Sequence, residues 1–340
     1  MNPRVLLTGG TGFLGQRVAA RLIKAGYRLH VMARESSDRS VLAGMDVCWQ
    51  SADIGDRESV DRAVATAHAE AHGAPLDLVH CAALISYRTC DRDLQWRVND
   101  GGTRHVLDAA RAHGVRRLLH TSSVVTVGHA SGAETIDERA AFNGEELRVD
   151  YVDTKRAAEL RVLAAADRLD VVVVNPSAIF GLAGAGSNSA YFLREVARGG
   201  VRLAPPGTVG VVGVEDTADG VLAALQQGRR GSRYLLSESS LPLCDLLSFV
   251  AHECGAAAPL ATVPAGIWPW VARGAALIDG LKPLERLTPQ SLRMVAVHYR
   301  VASDLARAEL DWHPRPIREV LRETLLGLGL SRVHQARARD

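Results

Sequence analysis

The chain has 340 residues, 47% hydrophobic and 23% charged, enough apolar surface for one large buried core plus a smaller appendage. Forty basic against 38 acidic residues leave a net charge of +2, which excludes electrostatic capture of nucleic acid or of an anionic membrane as the main role. Cys48, Cys81, Cys90, Cys244 and Cys254 form an odd set without C-x-x-C spacing, which favours free thiols in a reducing compartment over a disulfide frame or a metal site.

A strand-like run begins at Val5, so no signal peptide is expected, and the apolar stretch 263–281 is broken by Pro264, Pro269, Arg273 and Asp279, too often for a membrane span. A cytoplasmic protein is expected. In chain order, residues 5–7, 29–32, 47–49, 76–80, 118–120 and 171–174 read as strands. Several lack polar alternation, as strands covered by helices on both faces do. Between them, residues 13–25 carry Leu14, Val18 and Leu22 at four-residue steps before Gly26, and residues 94–113 form a second helical pattern ending at Gly114. This alternation predicts an α/β fold: a Rossmann-type, doubly wound parallel sheet over residues 1–180. After Phe180-Gly181 the rhythm changes. Gly184–Gly186 and Pro205-Pro206-Gly207 separate short helices at 190–198 and 216–227. Residues 181–330 are read as a smaller, mostly helical substrate-binding region, between which and the first domain the chain may cross, and 331–340 as a basic tail.

Thr8-Gly9-Gly10-Thr11-Gly12-Phe13-Leu14-Gly15 lies between the first strand and the first helix. Glycines there allow a tight turn and close backbone approach to a pyrophosphate, and the helix N-terminus offers unpaired N–H groups and partial positive charge. Gly9, Thr11, Gly12, Phe13, Leu14 and Gly15 are therefore candidate dinucleotide ligands. At the end of the second strand an NAD site usually carries a carboxylate; here stand Ala33 and Arg34, with Ser36, Ser37 and Arg39 nearby. A guanidinium suits a 2′-phosphate, so NADP(H) is preferred, with NAD(H) possible and Glu35 opposing. Asp53 and Ile54 follow the third strand as candidate adenine contacts, although an N-cap role fits Asp56 equally well. Ala82 and Ala83, after His80-Cys81, are small enough for the backbone to run along the cofactor.

Lys155 is one of three lysines in an arginine-rich chain, and Tyr151 precedes it by one helical turn, so phenol and ammonium share a face. A cation about 4 Å away contributes up to roughly 4 kcal/mol at an effective dielectric of about 20, so Lys155 is expected to loosen the phenolic proton.

The segments TGGTGFLG at 8–15, HCAA at 80–83, VNDGGT at 98–103, TSSVVTVG at 121–128, YVDTK at 151–155 and NPSAIFG at 175–181 together resemble the extended short-chain dehydrogenase/reductase family over nearly the whole chain. The resemblance implies Tyr151 as acid/base, Lys155 as its electrostatic partner and ribose ligand, and Ser123 as the hydroxyl that polarises the substrate oxygen, with Ser122 the alternative. It implies a structural or relay role for Asn99, a place near the nicotinamide for Pro176, and a homodimer through helices around 94–113 and 151–168. The Asp-Glu pair of the family's dehydratases is replaced by Val124 and Val125. Asn175-Pro176-Ser177 looks like the dihydroflavonol reductase and 3β-hydroxysteroid dehydrogenase branch, although the asparagine of plant flavonoid reductases is Gly128 here. Leu84, Ile85, Val124, Val125, Val127 and Phe180 would give a pocket apolar walls. The resulting expectation is an NADP(H)-dependent oxidoreductase that reduces a ketone or aldehyde, or oxidises the alcohol, of a mid-sized, fairly apolar small molecule. The alternatives are an NDP-sugar epimerase with tightly bound NAD, using Arg194, Arg198, Arg202 and Arg233 for the diphosphate, and a non-catalytic NADP-binding redox sensor.

Overall fold

The computed structural model describes residues 3–130, 132–182, 187–271, 273–274 and 288–332. Gly184–Gly186, the end of the 263–281 stretch and the tail beyond Arg332 lie outside the described residues.

Six strands alternate with helices in the first half: β1 (Arg4–Thr8), α1 (Phe13–Lys24), β2 (Arg28–Ala33), β3 (Val47–Ser51), α2 (Arg57–Ala69), β4 (Leu76–His80), α3 (Arg92–Gln95), α4 (Gly102–Ala112), β5 (Arg117–Thr121), α5 (Asp150–Leu163) and β6 (Asp170–Pro176). The remainder comprises β7 (Ala178–Phe180), α6 (Asn188–Ala197), β8 (Leu203–Ala204), β9 (Thr208–Gly213), α7 (Val214–Gln227), β10 (Arg233–Leu236), β11 (Ser239–Pro242), α8 (Leu243–Cys254), β12 (Ala261–Thr262), α9 (Pro289–Met294), α10 (Asp304–Leu310) and α11 (Ile317–Gly327). The predicted 94–113 helix is interrupted: a π-helical segment, Trp96–Gly101, joins α3 to α4 and carries Asn99.

Among the described residues the main sheet is parallel throughout, in the order β10-β6-β5-β4-β1-β2-β3. The chain reverses direction across the sheet between β1 and β4, and ligands of such sheets bind beyond the strand C-termini at that point. Successive residues of a strand feed opposite faces. Val172 and Val174 join α1, α7 and α10 in one core, whereas Val171 and Val173 join α2, α4 and α5 in the other. All four valines are fully buried, each contributing about 1.5–3 kcal/mol by leaving water.

The seventh strand was not read from the sequence. After α7 packs against α1, β10 returns to pair with β6, Leu235 opposite Asn175 and Leu236 opposite Pro176. A smaller layer, with helices α6, α8 and α11 and a β11-β9-β7 sheet, buries Phe180, Leu193, Val211, Leu247, Val250 and Leu321 in its own core. None of the described helices is long and apolar enough to cross a membrane.

Candidate active site

The turn after β1 is shaped by glycine at two points. Gly9 has φ +72°, and a Cβ on it would stand 2.7 Å from the Ala82 nitrogen; a Cβ on Gly15 would stand 2.0 Å from the Gly9 carbonyl oxygen. The β1 turn thereby packs directly on the segment after β4, where Ala82 N donates to Thr8 Oγ1 at 3.2 Å. Helix α1 starts from Gly12 with no side-chain cap and no acidic residue in its first turn, which leaves its N–H groups for an anion. A cleft of about 310 Å³ opens there, lined by Gly9, Thr11, Gly12, Ala33, Arg34, Ser37, Asp53, Ile54, Ala82, Ala83 and Leu84 among others. An uncapped helix start, a turn packed too tightly for a Cβ at Gly9 or Gly15 and a cleft crossing the switch point fit a dinucleotide. Arg34 is exposed at the rim, while the Arg39 guanidinium lies 5.0 Å over the Trp49 ring and outside the lining. Asp53 Oδ1 accepts from Gly55 N at 2.8 Å, and Asp56 caps α2 by accepting from Glu58 N. Phe13 and Leu14 begin α1, Leu14 packing against the core.

The second half of the site is carried by β5 and α5. Ser123 lies two residues past β5 in an extended conformation; its hydroxyl accepts from Val125 N at 3.4 Å and stands close enough to the Tyr151 phenol to pull its pKa down. Tyr151 is buried with Val124, Val125, Val127 and Tyr299, with Tyr87, Phe142, Met294 and Val297 packed around them. The Tyr87 ring meets Tyr151 edge-on at 6.0 Å. Lys155 is 2% exposed and donates from Nζ to the Thr121 carbonyl at 2.8 Å. Burial lowers its pKa to about 8, against the opposing pull of Glu159 and Cys81.

The phenol does not behave as its spacing to Lys155 predicts: burial pushes Tyr151 up to about 12, and only Ser123 pulls it down. Desolvation of the phenolate among aliphatic and aromatic side chains dominates, and Lys155 is not among the groups that shift it. The ammonium is instead engaged at the end of β5. Below the site, His80 bridges Thr8 Oγ1 (2.7 Å) and Thr103 Oγ1 (3.0 Å), joining β1 to α4. Burial and the charge of Lys155 keep His80 and the adjacent His120 neutral, His80 falling to about 3.

Asn99 departs from a proton-relay reading. Its amide accepts from Leu84 N (2.8 Å) and donates to Leu84 O (3.0 Å) and Thr154 Oγ1 (3.1 Å). Asn99 is a clamp that fixes the cleft wall at Leu84 to α5, with its polar atoms committed to that task. Phe180 also departs from its expected place: it packs edge-on to Phe192 in the core of the smaller layer, apart from the cluster around Tyr151. Ile85 is half exposed on the loop after β4, and Pro176 ends β6 opposite Leu236. Gly128 has φ +124°, and a Cβ there would lie 2.7 Å from Asn143 Oδ1, so no asparagine fits that position. The space is taken by Asn143, whose amide brackets His129 N and O.

Residues 288–301, unnoticed in the sequence, form a strap across the site. Gln290 accepts from Asp150 N (2.8 Å) and donates to Asp150 Oδ2 (2.7 Å), Thr288 Oγ1 donates to Tyr87 O (2.7 Å), and Ala130 N donates to His298 O (2.7 Å). The strap delivers Tyr299 and Met294 to the Tyr151 cluster. Their signal was weak, since scattered apolar residues after a broken stretch specify no partner.

His30, Cys48 and Glu70 are brought within metal-ligand distance of one another across β2, β3 and the end of α2. Arg4 and Arg28 lie close enough to His30 to depress its pKa, and their positive field opposes a cation. No metal is assigned there.

The sequence matches the family described as "NAD dependent epimerase/dehydratase family" over residues 5–236. The chain is 32% identical over 331 residues to sterol demethylase protein B of Methylococcus capsulatus, covering 92% of this chain and 94% of that one. A dihydroflavonol 4-reductase-like protein of Synechocystis sp. is 31% identical over 268 residues, with 76% and 74% covered. The crystal structure of gox2253 superposes with a TM-score of 0.82 at 28% identity, over 96% of this chain and 97% of that one. The chain belongs to the NAD-dependent epimerase/dehydratase family, the extended branch of the short-chain dehydrogenases/reductases, and is an NAD(P)-binding Rossmann enzyme of that class.

Proposed function

We propose that the protein is an NADP(H)-dependent oxidoreductase that reduces a ketone or aldehyde of a mid-sized, apolar small molecule. The observation that carries this reading is the buried Tyr151–Ser123 pair. A phenol held up to about 12 stays protonated at neutral pH, the form needed to donate to a carbonyl oxygen. A nicotinamide dinucleotide in the cleft supplies or accepts the hydride. Ser123 orients the substrate oxygen toward the phenol, Tyr151 delivers the proton, and Lys155 places a positive charge beneath the strand end. Arg34 and Ser37 at the cleft rim favour the 2′-phosphate of NADP(H) over NAD(H).

The substrate side supports an apolar molecule, because Val124, Val125, Tyr87, Tyr299 and Met294 surround the phenol. We assign substrate recognition to the region after residue 180, with the 288–301 strap its nearest part. The epimerase alternative loses support at Arg233, which is turned inward onto Glu159 and the Glu138 carbonyl, and at Arg198, which pairs with Glu195 at 2.5 Å. A homodimer fits the groove between α4 and α5, where Leu160 is 48% exposed. The test is NADPH oxidation across a panel of apolar ketones and aldehydes. Turnover with exchangeable NADPH is expected; NAD(H) retained through purification without ketone turnover would favour the epimerase.

A further inference from the structure

Tyr151, Lys155 and Glu159 stand at four-residue steps on the buried face of α5. Glu159 is fully buried, and an unsatisfied carboxylate there would be very costly, so its partners have consequences. Its Oε2 accepts from Asn175 Nδ2 at 2.6 Å and from Thr126 Oγ1 at 2.5 Å; its Oε1 accepts from Arg233 at 3.0 Å. Two of these partners also hold the backbone of Ser123. Asn175 Nδ2 donates to the Ser123 carbonyl at 3.1 Å, and Thr126 Oγ1 lies 2.7 Å from the same oxygen. Arg233 comes from β10 and donates on its other edge to the Glu138 carbonyl, while Glu138 Oε1 accepts from Leu235 N at 3.0 Å. Ile136, two residues before Glu138, is bonded to the strap through Arg300 O and to Ala302 N just after it.

We propose that Glu159, anchored by Arg233, is a positioning residue that sets Ser123 relative to Tyr151 and ties that geometry to β10 and the strap. The inference rests on the reading of Ser123, Tyr151 and Lys155 as reacting groups. Asn175 and Thr126, held in turn by the Glu159 carboxylate, fix the Ser123 carbonyl and with it the backbone from which the serine hydroxyl projects. Because the guanidinium that pins the carboxylate arrives on β10, a shift of the strap would be felt at Ser123. Glu159 also faces Lys155, whose other neighbours are Cys81, the neutral His80 and His120, and the Thr121 carbonyl; Arg156 and Arg233 complete the charged groups around the carboxylate.

A purely structural pair and a positioning pair are separated by two measurements on the full-length protein. The chain holds three lysines, Lys24, Lys155 and Lys282, so side-chain NMR of ¹⁵N-lysine-labelled protein follows Lys155 directly. Its midpoint is expected near 8 in the parent and about one unit lower in Glu159→Gln, because a negative charge that favours the ammonium is removed. An unmoved midpoint overturns the contact of Glu159 with the site. The Glu159→Leu/Arg233→Met double variant replaces the ion pair by apolar side chains, a change that can leave stability intact. With its Tm matching the parent's, and assayed well below it, it is expected to lose roughly ten- to a hundredfold in kcat, with KM and the NADPH Kd unchanged. Full kcat in a double variant of either Tm, assayed where it is folded, would mean that the pair only stabilises, and overturns the proposal. Should the double variant not fold, Glu159→Gln alone decides on both readouts. A parent enzyme inactive toward every carbonyl would instead count against the oxidoreductase reading, while the lysine titration would still report on Glu159.

Discussion

Tyr151 and Lys155 share one face of α5, yet they serve different partners: the phenol lies beside the Ser123 side chain, and the ammonium donates to the Thr121 carbonyl 2.8 Å away. The helix therefore addresses two points at the end of β5, a side chain that can touch substrate and a backbone carbonyl beneath it. Burial holds the phenol protonated and brings the lysine within reach of physiological titration, and each group's protonation state has a measurable consequence.

The first consequence is pH dependence. With Lys155 lowered to about 8 and Tyr151 raised to about 12, the competent form for reduction, ammonium plus neutral phenol, is half populated at about pH 8 and approaches full population only well below it. The rate of carbonyl reduction is expected to fall as pH rises through about 8. Stability moves the other way. Between pH 8 and 10.5 the unfolded chain binds the Lys155 proton that the folded chain has released, so this group's contribution rises with pH in that window. Rate and denaturation profiles across pH 6–10.5 check both signs.

Arg34→Ala removes a rim guanidinium that lines the cleft without entering the core. NADPH affinity is expected to fall roughly tenfold or more, as for loss of a charge-assisted hydrogen bond, with NADH affinity little changed. Fluorescence titration with both nucleotides is the check, and equal losses would remove the 2′-phosphate role.

Gly15→Ala places a Cβ 2.0 Å from the Gly9 carbonyl, a backbone atom that cannot swing aside. A cost of about 1–3 kcal/mol is expected, with a lower Tm and weakened binding of NADPH and NADH alike. Thermal denaturation with and without nucleotide measures both effects.

Leu160→Arg tests the α4–α5 face. Leu160 lies among Arg104, Leu107, Asp108, Arg111, Arg161 and Ala164, and an added cation there is expected to turn a dimer into monomers in sedimentation velocity while leaving the fold unchanged.

Much of this arrangement was legible in the sequence because it is local. The six strands of the first half announce themselves as apolar runs between turns, and the glycine turn and the Tyr151–Lys155 step follow from fixed spacing. Features decided by distant segments were not legible. Arg233–Leu236 is too short to declare itself a strand until β6 offers an edge. Asn99 has one spacing whether it relays protons or clamps Leu84, and the π-helical turn that settles its direction has no pattern of its own. Phe180 sits at a boundary where one residue decides which core it enters. The phenol's pKa depends on how much apolar surface closes around it, which spacing to a lysine does not reveal. Glu159 was the one missed residue with a usable signal, a charge continuing the four-residue step of Tyr151 and Lys155 into a buried face.

Whether Tyr151 hands a proton to a substrate oxygen held by Ser123 is decided by Tyr151→Phe, assayed for NADPH binding and carbonyl reduction on the same preparation. The substitution keeps the ring that packs against Tyr87 and removes only the hydroxyl. Unchanged NADPH affinity with a rate reduced about 10²–10⁴-fold is the predicted result. A variant that reduces carbonyls at the parent's rate would contradict the account.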